Sequence, residues 1–400
     1  MIKVYFEKER IYWKKLTESK FEKVNFENNK KVELKKIKEL NFKMKAKKLL
    51  EKKLFFVIKL KRFIQKHKYR ISCFTIKNEN DFDFIITKRK VFKGKKPYAF
   101  YIENFHSIFD NVKSRNNKIV IKKLEKIFSG KNFKGFIFMS EFSRKVFFNM
   151  HKDSFKKIDI QKLDKGVIYT YVEDIDIDEE EYKNSKITSL DNKVKLLYVC
   201  SVFELKAGKE VLKAFMNLSK RFELTIITNP ETIGDVELEI IKNNKNIVLL
   251  EHNMNFEQMK KIYLDTHIII QPTFMDSAAV AVLEGMKFRV PVISTSTFAV
   301  NEYIEDGFNG ILLDNPYNCY TLDGQVYLDR YFDDRDFILK ITKNHINSNF
   351  VKLISQSIIE MVKNYEMYLN NCFKYYNENY YKFGEKAIKE KWEETIKEML

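Results

Sequence analysis

The segment Gln271–Pro291, QPTFMDSAAVAVLEGMKFRVP, carries two carboxylates, Asp276 and Glu284, in otherwise apolar surroundings. Ser277 is a favourable N-cap for a helix running to Lys287. Ala278 through Leu283 make that helix apolar almost all round, as suits a helix packed between layers. Glu284 interrupts the apolar surface. A buried carboxylate is costly unless donors satisfy it, and the hydroxyls of a sugar or ribose are suitable donors. Eight residues of helix would set the two carboxylates roughly 12 Å apart. They are too far apart to act on one atom, but well placed to hold opposite ends of an elongated ligand such as a nucleotide sugar. Between them the helix N-terminus offers free N–H groups and a positive dipole end to a diphosphate. In the plainer alternative, Glu284 turns to solvent or pairs with Lys287 or Arg289.

The elements that must position this segment are legible around it. Short apolar runs at Leu196–Ser201, Glu223–Thr228, Ile247–Leu250, His267–Gln271 and Val290–Ser294 read as strands. Helical patterns at Gly208–Arg221, Asn255–Asp265 and Ser277–Lys287 lie between them. This alternation predicts an α/β fold with a doubly wound parallel sheet, whose ligand sits beyond the carboxyl ends of the strands. The N-terminal half offers strands at Asp83–Thr87, Tyr98–Asn104 and Gly135–Ser140, with helices at Ala46–His67, Asn116–Phe128 and Glu141–Met150. Its first 45 residues show little periodicity. The acidic run EDIDIDEEEY (Glu173–Tyr182) reads as a solvated linker. The expected organisation is therefore an N-terminal domain over 1–172, a linker over 173–193, a ligand-binding domain over 194–345 and C-terminal helices over 346–400.

Composition bounds the partners. The 400 residues suit two domains, and 44% hydrophobic content argues against disorder. The net charge of +18 is concentrated at one end. The first 100 residues hold 31 Lys/Arg against 11 Asp/Glu, and the remaining 300 hold 42 against 44. Such a field attracts anionic lipid, nucleic acid or a charged acceptor. The basic helical pattern Lys47–His67 fits either a membrane-surface helix or one packed on a sheet with a solvated basic back. No apolar run is long enough to span a bilayer, and the N-terminus has no apolar signal-peptide core. Cys73, Cys200, Cys319 and Cys372 are scattered, so free thiols in the cytoplasm are expected.

The Asp276–Glu284 spacing and the continuation EGMKFRVPVIST resemble the E-x7-E motif of retaining GT-B glycosyltransferases of family 4, the group 1 transferases. NEYIEDGFNGILL (Asn301–Leu313), LLYVCSVFELKAGKEVLKAF (Leu196–Phe215) and the final YKFGEKAIKEKWEETI resemble further stretches of that family. The resemblance covers about Val194 to the C-terminus. It implies two Rossmann-like domains facing a cleft, with a C-terminal helix returning to the N-terminal domain. It also implies transfer of a sugar, with retention, from a UDP- or GDP-linked donor to a glycan, lipid-linked or polysaccharide-precursor hydroxyl, with no metal or other cofactor. Position by position, Glu284 matches the ribose-binding glutamate, Asp276 the acid at the donor sugar and Lys206 the lysine that neutralises the diphosphate. Ser201 stands where the family has an arginine, a loss that Lys209 could offset. Ser277-Ala278-Ala279 replaces a Gly-x-Gly, which narrows backbone approach to the phosphates.

The N-terminal half departs further, since its first glycine is Gly94. In PYAFYIENFHSIF, Glu103 stands where the family has a catalytic-site histidine, with His106 three residues on; both are candidates. Asp81 and Asp83, and the triplet Asp174, Asp176 and Asp178, have DxD spacing but the wrong context for metal binding. No His/Cys cluster has ligand spacing. Partners expected are a nucleotide sugar, a glycan or lipid-linked acceptor, and an anionic membrane touched by 1–100 from its cytoplasmic, inner face. Nucleic acid is not expected, because the basic region lacks the interleaved aromatics of a known module. A basic nucleic-acid-binding protein and a catalytically degenerate GT-B subunit supporting a partner transferase are the alternatives.

Overall fold

The computed structural model describes residues 1–7, 11–27, 71–88, 90–109, 117–327, 334–343 and 345–400. The helix expected over Lys47–His67 lies outside them. The chain divides into two compact units. The first comprises Met1–Met139, Val146–Ile168 and Lys389–Leu400; the second comprises Ser140–Lys145 and Tyr169–Ile388.

The first unit is built on strands β1 (Ile2–Phe6), β2 (Val24–Glu27), β3 (Cys73–Phe74), β4 (Phe84–Thr87), β5 (Val91–Phe92), β6 (Tyr98–Ile102), β7 (Phe133–Phe138) and β8 (Asp164–Val167). Its main sheet has the order β2-β1-β4-β6-β7-β8, all parallel, and β3 pairs with β5 apart from it. β1 is a central strand, with Val4, Tyr5 and Phe6 fully buried. Its short IKVYF run was hidden in the aperiodic N-terminus. The core is aromatic. Trp392, from the C-terminal segment, packs on Phe6, Phe26 and Tyr101 with ring centres 5.4–6.0 Å apart, and Glu393 accepts the Lys23 amide at 2.7 Å.

The second unit is a six-stranded parallel sheet of β9 (Val194–Val199), β10 (Phe222–Thr228), β11 (Ile247–Glu251), β12 (Ile268–Gln271), β13 (Val292–Thr295) and β14 (Gly310–Leu313). The order is β11-β10-β9-β12-β13-β14. The strand order therefore reverses between β9 and β12, the switch point at which such sheets bind ligands. Period-two side chains cover both faces. Leu196 and Tyr198 enter one core, and Leu197 and Val199 the other. Ile268 and Ile270 join the first and Ile269 the second. The acidic stretch read as a linker instead contains a helix, Glu179–Leu190, whose N-cap Asp178 accepts the Glu181 amide. Its acidic first turn suits the helix dipole.

Candidate functional site

The switch point gathers the loops after β9 and β12. Beyond β9, Tyr198 donates its hydroxyl to the carbonyls of Phe203 (3.2 Å) and Lys206 (2.9 Å), fixing a 3-10 turn, Glu204–Lys206. The Phe274 amide donates to the Leu205 carbonyl at 3.1 Å, tying the two loops together. Lys206 consequently reaches across the switch point. Its Nζ donates to the Met275 carbonyl at 2.7 Å and ion-pairs with Asp276.

Asp276 is the hub of the site. Its Oδ2 meets Lys206, while Oδ1 accepts the amides of Ser277 (2.7 Å), Ala278 (3.2 Å) and Ala279 (3.0 Å). Burial opposes the charge, but the lysine and the amides outweigh it and hold the carboxyl below its ordinary range. Ser277 does not cap the helix. The helix runs over Val280–Lys287, and Ala279 precedes it in the left-handed conformation (φ 45°, ψ 45°). Asp276 therefore gathers the loop amides, and the helix starts two residues later than its composition suggests.

The next two amides, of Val280 and Ala281, meet no acceptor among the described residues. Val280, Ala281 and Glu284 lie on one face of the helix and are half-buried, whereas Val282, Leu283, Gly285 and Met286 are buried. The helix is thus not enclosed all round, and Glu284 lies on its accessible side. Gly285 allows the buried side to close on the sheet. A Cβ there would stand 2.7 Å from Ile269 and 2.8 Å from Val292. Glu284 accepts the hydroxyl of Tyr263 at 2.7 Å. Tyr263 is fully buried and stacked on Phe288 (centroids 4.6 Å, 16°). Burial and the neighbouring carboxylate push its phenol well above its ordinary pKa, so it remains a donor. Glu284 pairs with neither Lys287, which meets Asp174, nor Arg289, which stacks on Tyr376.

Other sequence candidates fall elsewhere. Ser201 is exposed just beyond β9. Lys209 does not join Lys206. Its Nζ donates to the carbonyls of Thr342 (3.1 Å) and Lys343 (2.8 Å) and pairs with Glu204, so it acts as a cationic cap on the Asp334–Thr342 helix. In the first unit Glu103 is buried in an ion pair with Lys88. His106 lies in the Phe105–Ile108 turn, and its side chain is outside the described residues. Asp83 accepts the Lys3 amide, Asp174 is tied to Lys287, and Asp178 caps a helix. No group of three or more potential metal ligands occurs among the described residues.

Sequence reasoning missed Glu302, which takes the amides of Glu141 (2.9 Å) and Phe142 (2.8 Å) and the hydroxyl of Tyr169 (2.8 Å). Burial raises its carboxyl above the usual range despite these donors. The opening acid of NEYIEDGFNG was its only sequence signal. The loops after β9, β12 and β13 also share a conformational feature. Ala207 (φ 58°), Ala279 (φ 45°) and Phe298 (φ 51°) are left-handed without being glycine. Such strain persists only where the surroundings impose it, and it gathers at functional sites.

Residues 179–323 match the family model described as glycosyl transferases group 1, a span that includes Lys206, Asp276, Glu284 and Glu302. No curated protein sequence matches the chain. Among solved structures it is similar to Anabaena HepE in complex with UDP, at 11% identity and TM-score 0.54 over 100% of both chains. It is also similar to the pneumococcal O-GlcNAc transferase GtfA in complex with UDP and GlcNAc, at 15% identity and TM-score 0.53, over 85% of this chain and 59% of that one. Sucrose-phosphate synthase from Thermosynechococcus elongatus matches at 10% identity and TM-score 0.51, over 87% of this chain and 79% of that one. The fold is GT-B, and within the second unit residues 179–323 match the glycosyl transferases group 1 model.

Proposed function

We propose that this chain transfers a sugar from a nucleotide-diphosphate donor to a hydroxyl acceptor, with retention at the anomeric carbon and without a metal ion. One observation carries the reading. Two unpartnered amides at a helix N-terminus share an accessible face with Glu284, next to a lysine and an aspartate at the sheet's switch point. In this reading the amides of Val280 and Ala281 and the Lys206 ammonium take the diphosphate, and Glu284 takes the ribose hydroxyls. Asp276 holds the loop in shape and turns its carboxylate toward the sugar once Lys206 engages the phosphate. The departing phosphate takes the proton of the attacking hydroxyl as the glycosidic bond forms. The protein orients the reactants and stabilises the leaving charge.

UDP in the solved neighbours favours a uridine donor over a guanosine one. Glu103, with His106, remains the first unit's candidate for the acceptor hydroxyl. A lipid-linked acceptor would place the chain at the inner face of a membrane through its basic residues 1–100. No helix among the described residues is long and apolar enough to cross a bilayer.

The degenerate-subunit reading draws on Ser201 and the non-glycine residues in left-handed loops, and transfer or donor hydrolysis by the purified chain alone excludes it. The test of the main reading is thermal shift and turnover with UDP- and GDP-sugars on Glu284→Ala and Lys206→Ala. Losing a charge-assisted hydrogen bond of about 2 kcal/mol weakens donor binding ~30-fold. Wild-type binding and turnover in both variants would remove the site.

A further inference from the structure

The first unit carries a groove of about 640 Å³, none of whose lining residues belongs to the switch-point site. Five lysines line it: Lys118, Lys122, Lys123 and Lys126 on the Lys118–Phe128 helix, and Lys157 beside it. All five are exposed, and none makes an ion pair or side-chain hydrogen bond among the described residues. The lining has a single acid, Glu125, which is 6% exposed. Its Oε1 accepts the amides of Lys156 and Lys157, each at 2.8 Å, so its carboxylate pins the neighbouring loop against the helix. The nearby Asp159 caps the 3-10 turn Ile160–Leu163. Five lysines thus line one groove with their acidic neighbours already engaged. Such a local excess of positive charge attracts an anion.

The spacing says what kind of anion fits. Lys118, Lys122 and Lys126 recur every fourth residue, one stripe with steps of about 6 Å along the helix. A bilayer is flat and reaches the rim of a groove better than its walls. Ile119, 66% exposed, is the only large apolar side chain open to solvent on this helix, too little apolar surface for insertion. A flexible chain bearing charges at regular intervals can lie in the groove and meet several lysines in turn. We propose that this groove seats a linear polyanionic chain, a stretch of an acceptor polymer carrying phosphate or carboxylate groups. This deepens the transferase reading and rests on it for the acceptor role, but the binding itself is measured independently of turnover.

The test uses the full-length protein and two soluble probes, short-chain polyphosphate and a heparin oligosaccharide, with flotation on phosphatidylglycerol vesicles in parallel. Lys122→Gln/Lys126→Gln should weaken chain binding at least tenfold and flatten its salt dependence by about one logarithmic unit per lysine removed. The exposed pair Lys213→Gln/Lys352→Gln on the second unit serves as control and should bind as wild type. Two outcomes overturn the proposal: unchanged chain binding in the groove variant, or loss confined to vesicle flotation, which would make the groove a membrane surface. Thermal shift by UDP-sugars should be the same in all three proteins. Its absence from all of them would count against the transferase reading and leave the groove result standing.

Discussion

Asp276 shows how one side chain can build a site before any ligand arrives. Its carboxylate is lowered below its ordinary pKa, so it binds a proton less readily in the folded chain than in the unfolded one. Its contribution to stability is complete above the unfolded value of about 4 and is lost as pH falls through the lower folded value. Asp276→Asn should therefore cost about 2 kcal/mol at neutral pH. The difference from wild type in urea midpoint should stay constant above pH ~5 and close below ~4. A gap that persisted in acid would mean the loop is held by contacts other than the charge. Ala279 supports a second residue-scale expectation. A left-handed alanine costs roughly 1–2 kcal/mol and a glycine about 0.5–1 in unfolded-state entropy. Ala279→Gly should leave stability equal or up to about 1 kcal/mol higher, and should open the loop toward the phosphates. A clear loss in urea titration would show that the alanine methyl is needed for packing.

Among the elements, what the sequence disclosed and what it hid have physical causes. Strands buried on both faces read as apolar runs, so β9, β10, β12 and β13 lay within two residues of the expected bounds, as did the apolar edge strand β11. The start of the Val280–Lys287 helix was misplaced because Ser277 is a good N-cap by type, whereas Asp276 reaches three amides at once and delays the first turn. Lys209 was misassigned because spacing in the chain cannot show which way a side chain turns; it turns to the end of the Asp334–Thr342 helix. β1 and β2 escaped because their IKVYF and VNFE runs are broken by polar residues and lie in a stretch crowded with charge. The partner of Lys287 was equally hidden. That ammonium is fully buried and ion-pairs with Asp174 at 2.6 Å, 113 residues away, while Asp174 also accepts the hydroxyls of Tyr376 and Tyr380. Removing one partner of a buried pair strands the other. Asp174→Ala should cost about 3 kcal/mol or more in denaturant titration. Lys287→Met should cost less, because the Asp174 carboxylate it leaves is partly exposed and keeps the hydroxyls of Tyr376 and Tyr380. Equal losses would mean that Asp174 acts mainly through its tyrosines.

At the scale of the whole molecule, the lesson is where the chemistry is supplied. The two sheets are parallel and doubly wound, and such sheets aim loops and helix ends beyond their strands. In the second unit those loops deliver a lysine paired with an aspartate, two open amides and a further carboxylate, Glu284, the groups that the proposed reading assigns to a sugar nucleotide. Stabilising a departing diphosphate requires positive charge, which can come from a metal ion or from fixed protein groups. Lys206 and the helix terminus supply fixed charge, and Asp276 is already engaged by that lysine and three backbone amides. We therefore expect turnover to survive EDTA with less than a twofold change, and added magnesium or manganese to leave kcat/KM unaltered. Lys206→Ala should lower turnover by ~30-fold, and a divalent ion should not restore it, since no group of three or more potential metal ligands occurs among the described residues. Loss of activity in EDTA with recovery on adding a divalent ion would mean that the diphosphate charge is met by a metal, and that Lys206 serves chiefly to orient Asp276.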